Sequence, residues 1–204
     1  MKFREIIQNN LKKYRFVIVC GGGSVARKYI SALKESKATY KEQSMTGILA
    51  TRINAQFMSY FFNQDLKTKI PSSMEEVKKQ AKKSNLIFCG ALGYKPKQTT
   101  DSTASEISAE FKTYFINITN VDGLHDKNPK KFKKVKFIPK ISWKDFYQMA
   151  NKMSFKPGQH FVLDQTSAKI IMKNKTTAYI LGKNMKQLDN LLRGKKFKGT
   201  LIKG

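Results

Sequence analysis

Short apolar runs of strand length alternate along this chain with longer segments whose apolar positions recur at helical spacing. Five apolar runs predict buried strands, namely Phe16–Cys20, Leu86–Cys89, Phe115–Thr119, Thr177–Leu181 and Gly199–Ile202. Eight segments predict helices, namely Lys2–Lys13, Val25–Lys34, Ile48–Phe62, Ser73–Lys83, Ser102–Lys112, Trp143–Asn151, Gln165–Lys173 and Met185–Arg193. Because strands separated by helices form βαβ units, this order predicts an α/β fold, a three-layer α/β/α sandwich with a mainly parallel central sheet.

The organisation of the chain predicts a single domain over residues 1–204. No internal repeat, low-complexity stretch or flexible linker divides the sequence. The basic, proline-containing segment Lys127–Lys140 is typical of a surface loop rather than of a domain boundary. We therefore expect one domain with two lobes around a cleft.

The charge is the unusual bulk property of this chain, with 40 Lys and Arg against 14 Asp and Glu and a net charge of +26. Such a charge suits either nucleic acid, whose condensed counterions are released on binding, or lysines that simply cover solvated faces. The lysines are spread along the whole chain, and stacking aromatics are not set regularly between them. Nucleic acid is therefore not expected as the main partner, whereas a positive field favours small anionic substrates.

The apolar runs are too short to predict a membrane span, which needs roughly 20 residues, and the N-terminus lacks the apolar region of a secretory signal. The two cysteines, Cys20 and Cys89, each end an apolar run and are typical of buried thiols in a reducing compartment. The sequence predicts a cytoplasmic protein without membrane partners.

Glycines follow the first predicted strand, in the segment Cys20–Arg27. Ligands of open α/β sheets bind where strands end and helices begin, because free backbone amides and the helix dipole favour anions there. Glycines allow close approach to a phosphate, and Arg27 can act as a bidentate phosphate clamp. A simple tight turn is the alternative. The dinucleotide pattern G-x-G-x-x-A is also present, but the strand that it requires next is not, because Ala38–Glu42 is too polar.

Three further strand ends carry candidate residues. Near the second, Thr100 or Asp101 is a natural helix N-cap, and the carboxylate can also orient a lysine or a magnesium ion. The third carries Asn120–Gly123, which is either a plain turn or a set of amides suited to a nucleotide. At the last, Asp164 is either a helix cap or an acid on the metal side of a site.

Several other chemistries are not indicated. His125 and His160 lack partners at metal-ligand spacing, and the cysteines form no C-x-x-C pair, so no zinc or other protein-held metal site is expected. The sequence contains neither a G-x-S-x-G elbow nor a Walker A lysine motif.

With these strand ends in this order, the chain resembles the uridylate (UMP) kinases of the amino-acid kinase superfamily, particularly the archaeal type. The resemblance runs from about Phe3 to Ile202. The segments that carry it are Cys20–Lys28, Thr51–Ala55, Gln98–Ser102, Thr119–Gly123 with Asn128-Pro129, Val162–Lys169 and Lys198–Ile202.

The resemblance implies an amino-acid kinase-like fold and transfer of the γ-phosphoryl group of ATP to UMP, with Mg²⁺ as cofactor. It implies an acceptor-binding lobe at about residues 1–112 and an ATP-binding lobe at about 113–204. It also implies a homo-oligomer, commonly a hexamer in the family, with the helices Val25–Lys34 and Ile48–Phe62 as candidates for the contact. The residues that it implies for UMP are Gly22, Gly23, Arg27, Gly47, Thr99 and Thr100, with Arg52 on the nucleoside side. Those that it implies for ATP are Asn120, Val121, Asp122 and Gly123, and the catalytic carboxylates are Asp101 and Asp164.

The sequence departs from the family pattern at its start. Family members open with a strand and a glycine-rich loop of the type Lys-x-Gly-Gly-Ser, whereas Met1 matches the helix after that loop. Three explanations stay open: a longer product that includes the loop, a nucleotide-binding protein of the same fold with weak or no catalysis, or compensating charge from Lys95 or Lys97.

Overall fold

The computed structural model describes residues 2–96, 98–127, 132, 134–152 and 163–204. Its helices are α1 Phe3–Asn10, α2 Gly23–Glu35, α3 Tyr40–Phe61, α4 Met74–Ala81, α5 Thr100–Glu110, α6 Trp143–Lys152, α7 Gln165–Lys173 and α8 Met185–Leu192. Its strands are β1 Phe16–Val19, β2 Leu86–Cys89, β3 Phe115–Ile118, β4 Leu124–His125, β5 Phe137–Ile138, β6 Lys140–Ile141, β7 Ala178–Leu181 and β8 Thr200–Ile202. The chain forms two compact units, one of Ile7–Thr103 and one of Met1–Ile6 with Ala104–Gly204.

The Ile7–Thr103 unit contains the parallel pair β1–β2, in which Phe16 is opposite Leu86 and Val19 is opposite Cys89. All of β2 is buried, as its continuous apolar sequence requires. Phe88 packs on Phe62 with ring centroids 4.9 Å apart. The core of this unit is thus formed by β2 and by side chains at the end of α3.

The other unit contains a four-stranded sheet in the order β3-β7-β8-β6. The pairs β3–β7 and β6–β8 are parallel, and β7–β8 is antiparallel. The short strands β4 and β5 form a separate antiparallel pair. Helices α6 and α7 cover the sheet with Phe146, Ala168 and Ile171, which lie in one buried cluster with Ile180.

The prediction of an α/β fold with a mainly parallel sheet is confirmed, with differences in detail. Helix α3 begins at Tyr40 rather than Ile48, because Thr39 and Glu42 form a capping box: the Thr39 amide donates to Glu42 Oε2 (2.7 Å), and the Glu42 amide donates to Thr39 Oγ1 (3.3 Å). Strand β8 runs antiparallel to β7, and β5 lies within the segment predicted as a loop. None of the described helices is long and apolar enough to cross a membrane.

The division into units falls between Thr103 and Ala104, inside α5. The resemblance implies a lobe boundary near residue 112, with acceptor binding in one lobe and ATP binding in the other. Those assignments stay predictions.

Candidate active site

The glycine loop after β1 has two positions that favour glycine, Gly22 and Gly23. Gly22 is the N-cap residue of α2, and Gly23 has a φ of +59°. A Cβ atom at Gly22 would lie 2.4 Å from Ala26 Cβ. The loop therefore depends on glycine at Gly22 for space and at Gly23 for conformation. Its amides lie at the N-terminus of α2, where the helix dipole favours an anion.

Helix α3 supports this loop and the end of β2 with polar side chains. Asn54 Nδ2 donates to Gly21 O (2.7 Å), and Arg52 Nε donates to Ala91 O (3.3 Å). The buried Thr51 hydroxyl donates to Ile48 O (2.6 Å) and accepts from the Ala91 amide (2.9 Å). One stretch of helix thus fixes the segments that follow two neighbouring strands.

The first turn of α5 is capped by Thr99, which corrects the prediction of Thr100 or Asp101. Thr99 Oγ1 accepts from the amides of Asp101 (3.1 Å) and Ser102 (3.4 Å). The cap lies one residue earlier because the helix itself begins at Thr100. Asp101 is therefore placed in the first helical turn, where the dipole stabilises a negative charge.

Some of the residues predicted for UMP come together within the Ile7–Thr103 unit. A Cβ atom at Gly21 would lie 3.5 Å from Thr100 Oγ1, so the glycine loop and the start of α5 are neighbours. A Cβ atom at Gly22 would lie 3.6 Å from Gly47 O, which brings Gly47 to the same loop. Arg27 is exposed, one turn into α2. Its side chain has no recorded hydrogen bond or ion pair with any residue that the structure describes.

The turn predicted for ATP, Asn120–Gly123, lies between β3 and β4 in the other unit. Gly123 has a φ of +147°, and a Cβ atom there would lie 2.8 Å from Thr200 Oγ1. That hydroxyl accepts from the Leu124 amide (2.8 Å) and donates to Ile138 O (2.6 Å). The fully buried Thr200 thus joins the end of this turn to β5, and only glycine fits at position 123.

Asp122, in the same turn, forms an ion pair with Lys198. Lys198 Nζ lies 2.7 Å from Asp122 Oδ2. A Cβ atom at Gly182, directly after β7, would lie 2.5 Å from Asp122 Oδ1. The carboxylate is therefore held between the end of β7 and the ammonium group of Lys198.

Asp164 is the N-cap residue of α7, one of the two roles predicted for it. Its Oδ1 accepts from the Ser167 amide (2.9 Å), and its Oδ2 accepts from Ser167 Oγ (3.0 Å). A role near a metal stays a prediction. Lys97, the pair Asn128-Pro129 and His160 lie outside the described residues.

Sequence reasoning assigned no role to four side chains that hold these segments in place, although all four lie in segments that carry the resemblance. They are Thr51, Asn54, Lys198 and Thr200. Thr51 and Asn54 are two of several polar residues in α3, so their type alone did not single them out. Lys198 gave none, because it is one of many lysines.

The two cysteines are not suited to nucleophilic chemistry. Burial raises the pKa of Cys20 to about 11, and burial together with the nearby Cys20 raises the pKa of Cys89 to about 12. Both thiols are neutral near pH 7. Among the described residues, no group of three or more His, Cys, Asp or Glu is arranged to hold a metal ion.

Residues 1–182 match the model of the amino acid kinase family. The chain belongs to this family. Among curated proteins, this amino acid kinase is 32% identical to a uridylate kinase of Methanocaldococcus jannaschii, over 94% of this chain and 84% of that protein. It is 28% identical to a uridylate kinase of Sulfolobus acidocaldarius, over 93% of this chain and 84% of that protein.

Solved structures of similar proteins have the same fold as this amino acid kinase. A crystal structure of uridylate kinase from Archaeoglobus fulgidus matches with a TM-score of 0.87 and 28% identity, covering 98% of this chain and 90% of the other. The UMP kinase of Ureaplasma parvum matches with a TM-score of 0.78 at 24% identity, covering 98% of this chain and 87% of the other.

Proposed function

We propose that this amino acid kinase transfers the γ-phosphoryl group of ATP to UMP and so forms UDP and ADP. The observation that carries the proposal is the 32% identity to an archaeal uridylate kinase over 94% of the chain. Further uridylate kinases match over most of their length, among them one of Sulfurisphaera tokodaii at 30% identity. The enzyme is a nucleoside-monophosphate kinase of pyrimidine nucleotide biosynthesis, and a cytoplasmic location stays a prediction.

For the acceptor, we assign the UMP phosphate to the loop amides of Gly22 and Gly23 and to the guanidinium group of Arg27. Two observations support this: the loop lies at a helix N-terminus, and the structure records no partner for Arg27 among the described residues. Thr100 lies beside the loop, and with Thr99 and Gly47 it is assigned to the nucleoside side of UMP.

For the donor, we assign Asn120–Gly123 to ATP, and Asp101 and Asp164 to the catalytic carboxylates. Phosphoryl transfer requires little covalent chemistry from the protein, because most of the rate comes from aligning the two phosphates and neutralising their charge. In this assignment the amides and Arg27 hold the acceptor, while the ATP turn holds the donor.

Mg²⁺ is the expected cofactor and supplies positive charge to the transferring phosphate. A magnesium ion that takes part in phosphoryl transfer is usually held largely by substrate phosphates and water. Such an ion needs only one or two protein carboxylates, and Asp101 and Asp164 are the candidates.

The deciding experiment measures UDP formation from ATP and UMP with Mg²⁺, by coupled ADP release and product chromatography. Arg27→Ala should raise the KM for UMP about 10- to 100-fold, because a hydrogen bond to a charged group is worth about 1.5–3 kcal/mol. Lys28→Ala is the matched control, since it removes a neighbouring exposed charge. Saturable nucleotide binding without UDP formation would contradict the kinase proposal, and equal KM values for the two variants would contradict the role of Arg27.

We also propose that the enzyme is a homo-oligomer, with a hexamer as one form. Helix α3 exposes a row of large apolar side chains, with Leu49 54%, Ile53 62% and Phe57 63% exposed. Val25 and Tyr29 extend apolar exposure onto α2. Large apolar side chains exposed at i, i+4 and i+8 lie on one face of a helix, and an exposed apolar face is typical of an interaction site. Ile53→Asp should lower the mass measured by light scattering, and a wild-type protein that is monomeric at micromolar concentration would refute the assignment.

A further inference from the structure

Lys198 and Asp122 form an ion pair that links the segment just before the last strand, β8, to the turn assigned to ATP. The two side chains are 63% and 54% exposed, and their charged atoms are 2.7 Å apart. Ion pairs with this degree of exposure contribute little to stability, because water screens them and ordering the side chains costs entropy. Removing the pair should therefore change the free energy of unfolding little, so an effect on binding can be measured separately.

The backbone that carries Lys198 is fixed on both sides. The Lys198 amide donates to Gln187 Oε1 on α8 (2.7 Å). At the next residue, Gly199, a Cβ atom would lie 2.7 Å from Ile180 O on β7. The chain is thus held against α8 on one side and against β7 on the other. The lysine projects from a rigid base, which lowers the entropy cost of directing it at one carboxylate.

Asp122 is restrained in the same way. Gly182 leaves no space beside Oδ1, and the ammonium group of Lys198 lies on Oδ2. A carboxylate in a turn that receives a triphosphate would repel it, and two charges about 4 Å apart interact several times more strongly near a protein surface than in bulk water. A cation in contact with the carboxylate cancels most of that repulsion.

We propose that Lys198 is a positioning residue for ATP, which acts by neutralising and orienting Asp122 rather than by touching the nucleotide. This inference rests on the proposed function, in which Asn120–Gly123 binds ATP. It assigns a role to a lysine two residues before the last strand, and it predicts that the need for Lys198 disappears when Asp122 carries no charge.

The test is a double-mutant cycle with ATP as the probe, measured by calorimetry with Mg²⁺ and without UMP. Lys198→Met should weaken ATP binding about 10-fold, as one uncompensated charge near a phosphate would do. Lys198→Met combined with Asp122→Asn should bind ATP more tightly than Lys198→Met alone. Lys198→Arg should retain most of the affinity. In Lys198→Met the KM for UMP should change less than about 2-fold, since the altered charge balance at Asp122 concerns the ATP side alone.

Lys196→Met is the matched control, because it removes an exposed positive charge two residues away that has no recorded ion pair among the described residues. Equal ATP affinity of Lys196→Met and Lys198→Met would overturn the inference. So would a double variant as weak as Lys198→Met, since that result would mean a direct contact of the lysine with phosphate. Thermal unfolding verifies that each variant is folded. A folded Lys198→Arg variant that no longer binds ATP would also overturn the inference.

The outcomes separate this inference from the proposed function. If the wild-type chain binds ATP in a manner that depends on Lys198 but forms no UDP, the kinase proposal fails and the positioning role stands. If it forms UDP while Lys198→Met binds ATP as the control does, the positioning role fails alone. A wild-type chain that binds no ATP overturns the inference as well.

Discussion

Replacing Gly22 by alanine is the most direct test of how the glycine loop is built. The added Cβ atom would lie 2.4 Å from Ala26 Cβ. Carbon atoms pack best at about 3.5–4.0 Å, so the loop must move by more than about 1 Å. The other neighbours, Gly47 O and Thr51 Cγ2, are both 3.6 Å away, which is an ordinary contact. Overpacking of this kind costs about 1–3 kcal/mol.

Because the clash has a single partner, a second substitution should relieve it. Ala26→Gly removes the obstructing methyl group and by itself should cost about 1–2 kcal/mol, from lost helix propensity and lost burial. If the two penalties were independent, Gly22→Ala with Ala26→Gly would cost about 2–5 kcal/mol. If the added methyl group at position 22 clashes only with Ala26 Cβ, the double variant should lose no more free energy of unfolding than Ala26→Gly alone.

The assays are urea unfolding for stability and steady-state kinetics for UMP. We expect Gly22→Ala to lower the free energy of unfolding and to raise the KM for UMP, and both changes should be reduced in the double variant. Gly21→Ala is the stability control in the same loop, because its Cβ atom would meet Thr100 Oγ1 at an ordinary 3.5 Å. Penalties that simply add, or a Gly22→Ala variant as stable as Gly21→Ala, would refute the reasoning.

Three further predictions concern buried groups in the same unit. Thr51→Val should lower the free energy of unfolding by about 1–3 kcal/mol, because the Ala91 amide loses its acceptor. Thr51→Ser keeps the hydroxyl and should cost only about 1 kcal/mol, for the lost methyl group. Equal losses in urea unfolding would contradict this. Cys20 and Cys89 should react with Ellman's reagent at pH 8 only after unfolding, since burial raises their pKa values to about 11 and about 12, and immediate reaction in the native protein would contradict this. Because these folded pKa values exceed the ordinary value of 9.0, the two neutral thiols stabilise the folded protein below pH 9, and this contribution is lost as the pH rises toward 11–12. In a variant with Cys20→Ala and Cys89→Ala, the free energy of unfolding should lack this loss.

The sequence predicted the parts of the fold that depend on local signals. Helical periodicity placed α7 at Gln165–Lys173, and the apolar run of β2 matched Leu86–Cys89. The glycines after β1 marked a loop in which position 22 has no space for a side chain and position 23 has a positive φ. The start of α3 was missed, although its signal, Thr39 with Glu42 three residues later, is local and was present.

Only the tertiary structure decided the contacts between distant parts of the chain. Nothing in the sequence indicated that β8 runs antiparallel to β7, that the Thr51 hydroxyl accepts from the Ala91 amide 40 residues away, or that Lys198 pairs with Asp122 across 76 residues. Periodicity and capping arise from groups a few residues apart, so a short window of sequence contains their whole cause. Long-range pairings follow from how the packed elements exclude water and satisfy buried polar groups together, and no single segment carries that information.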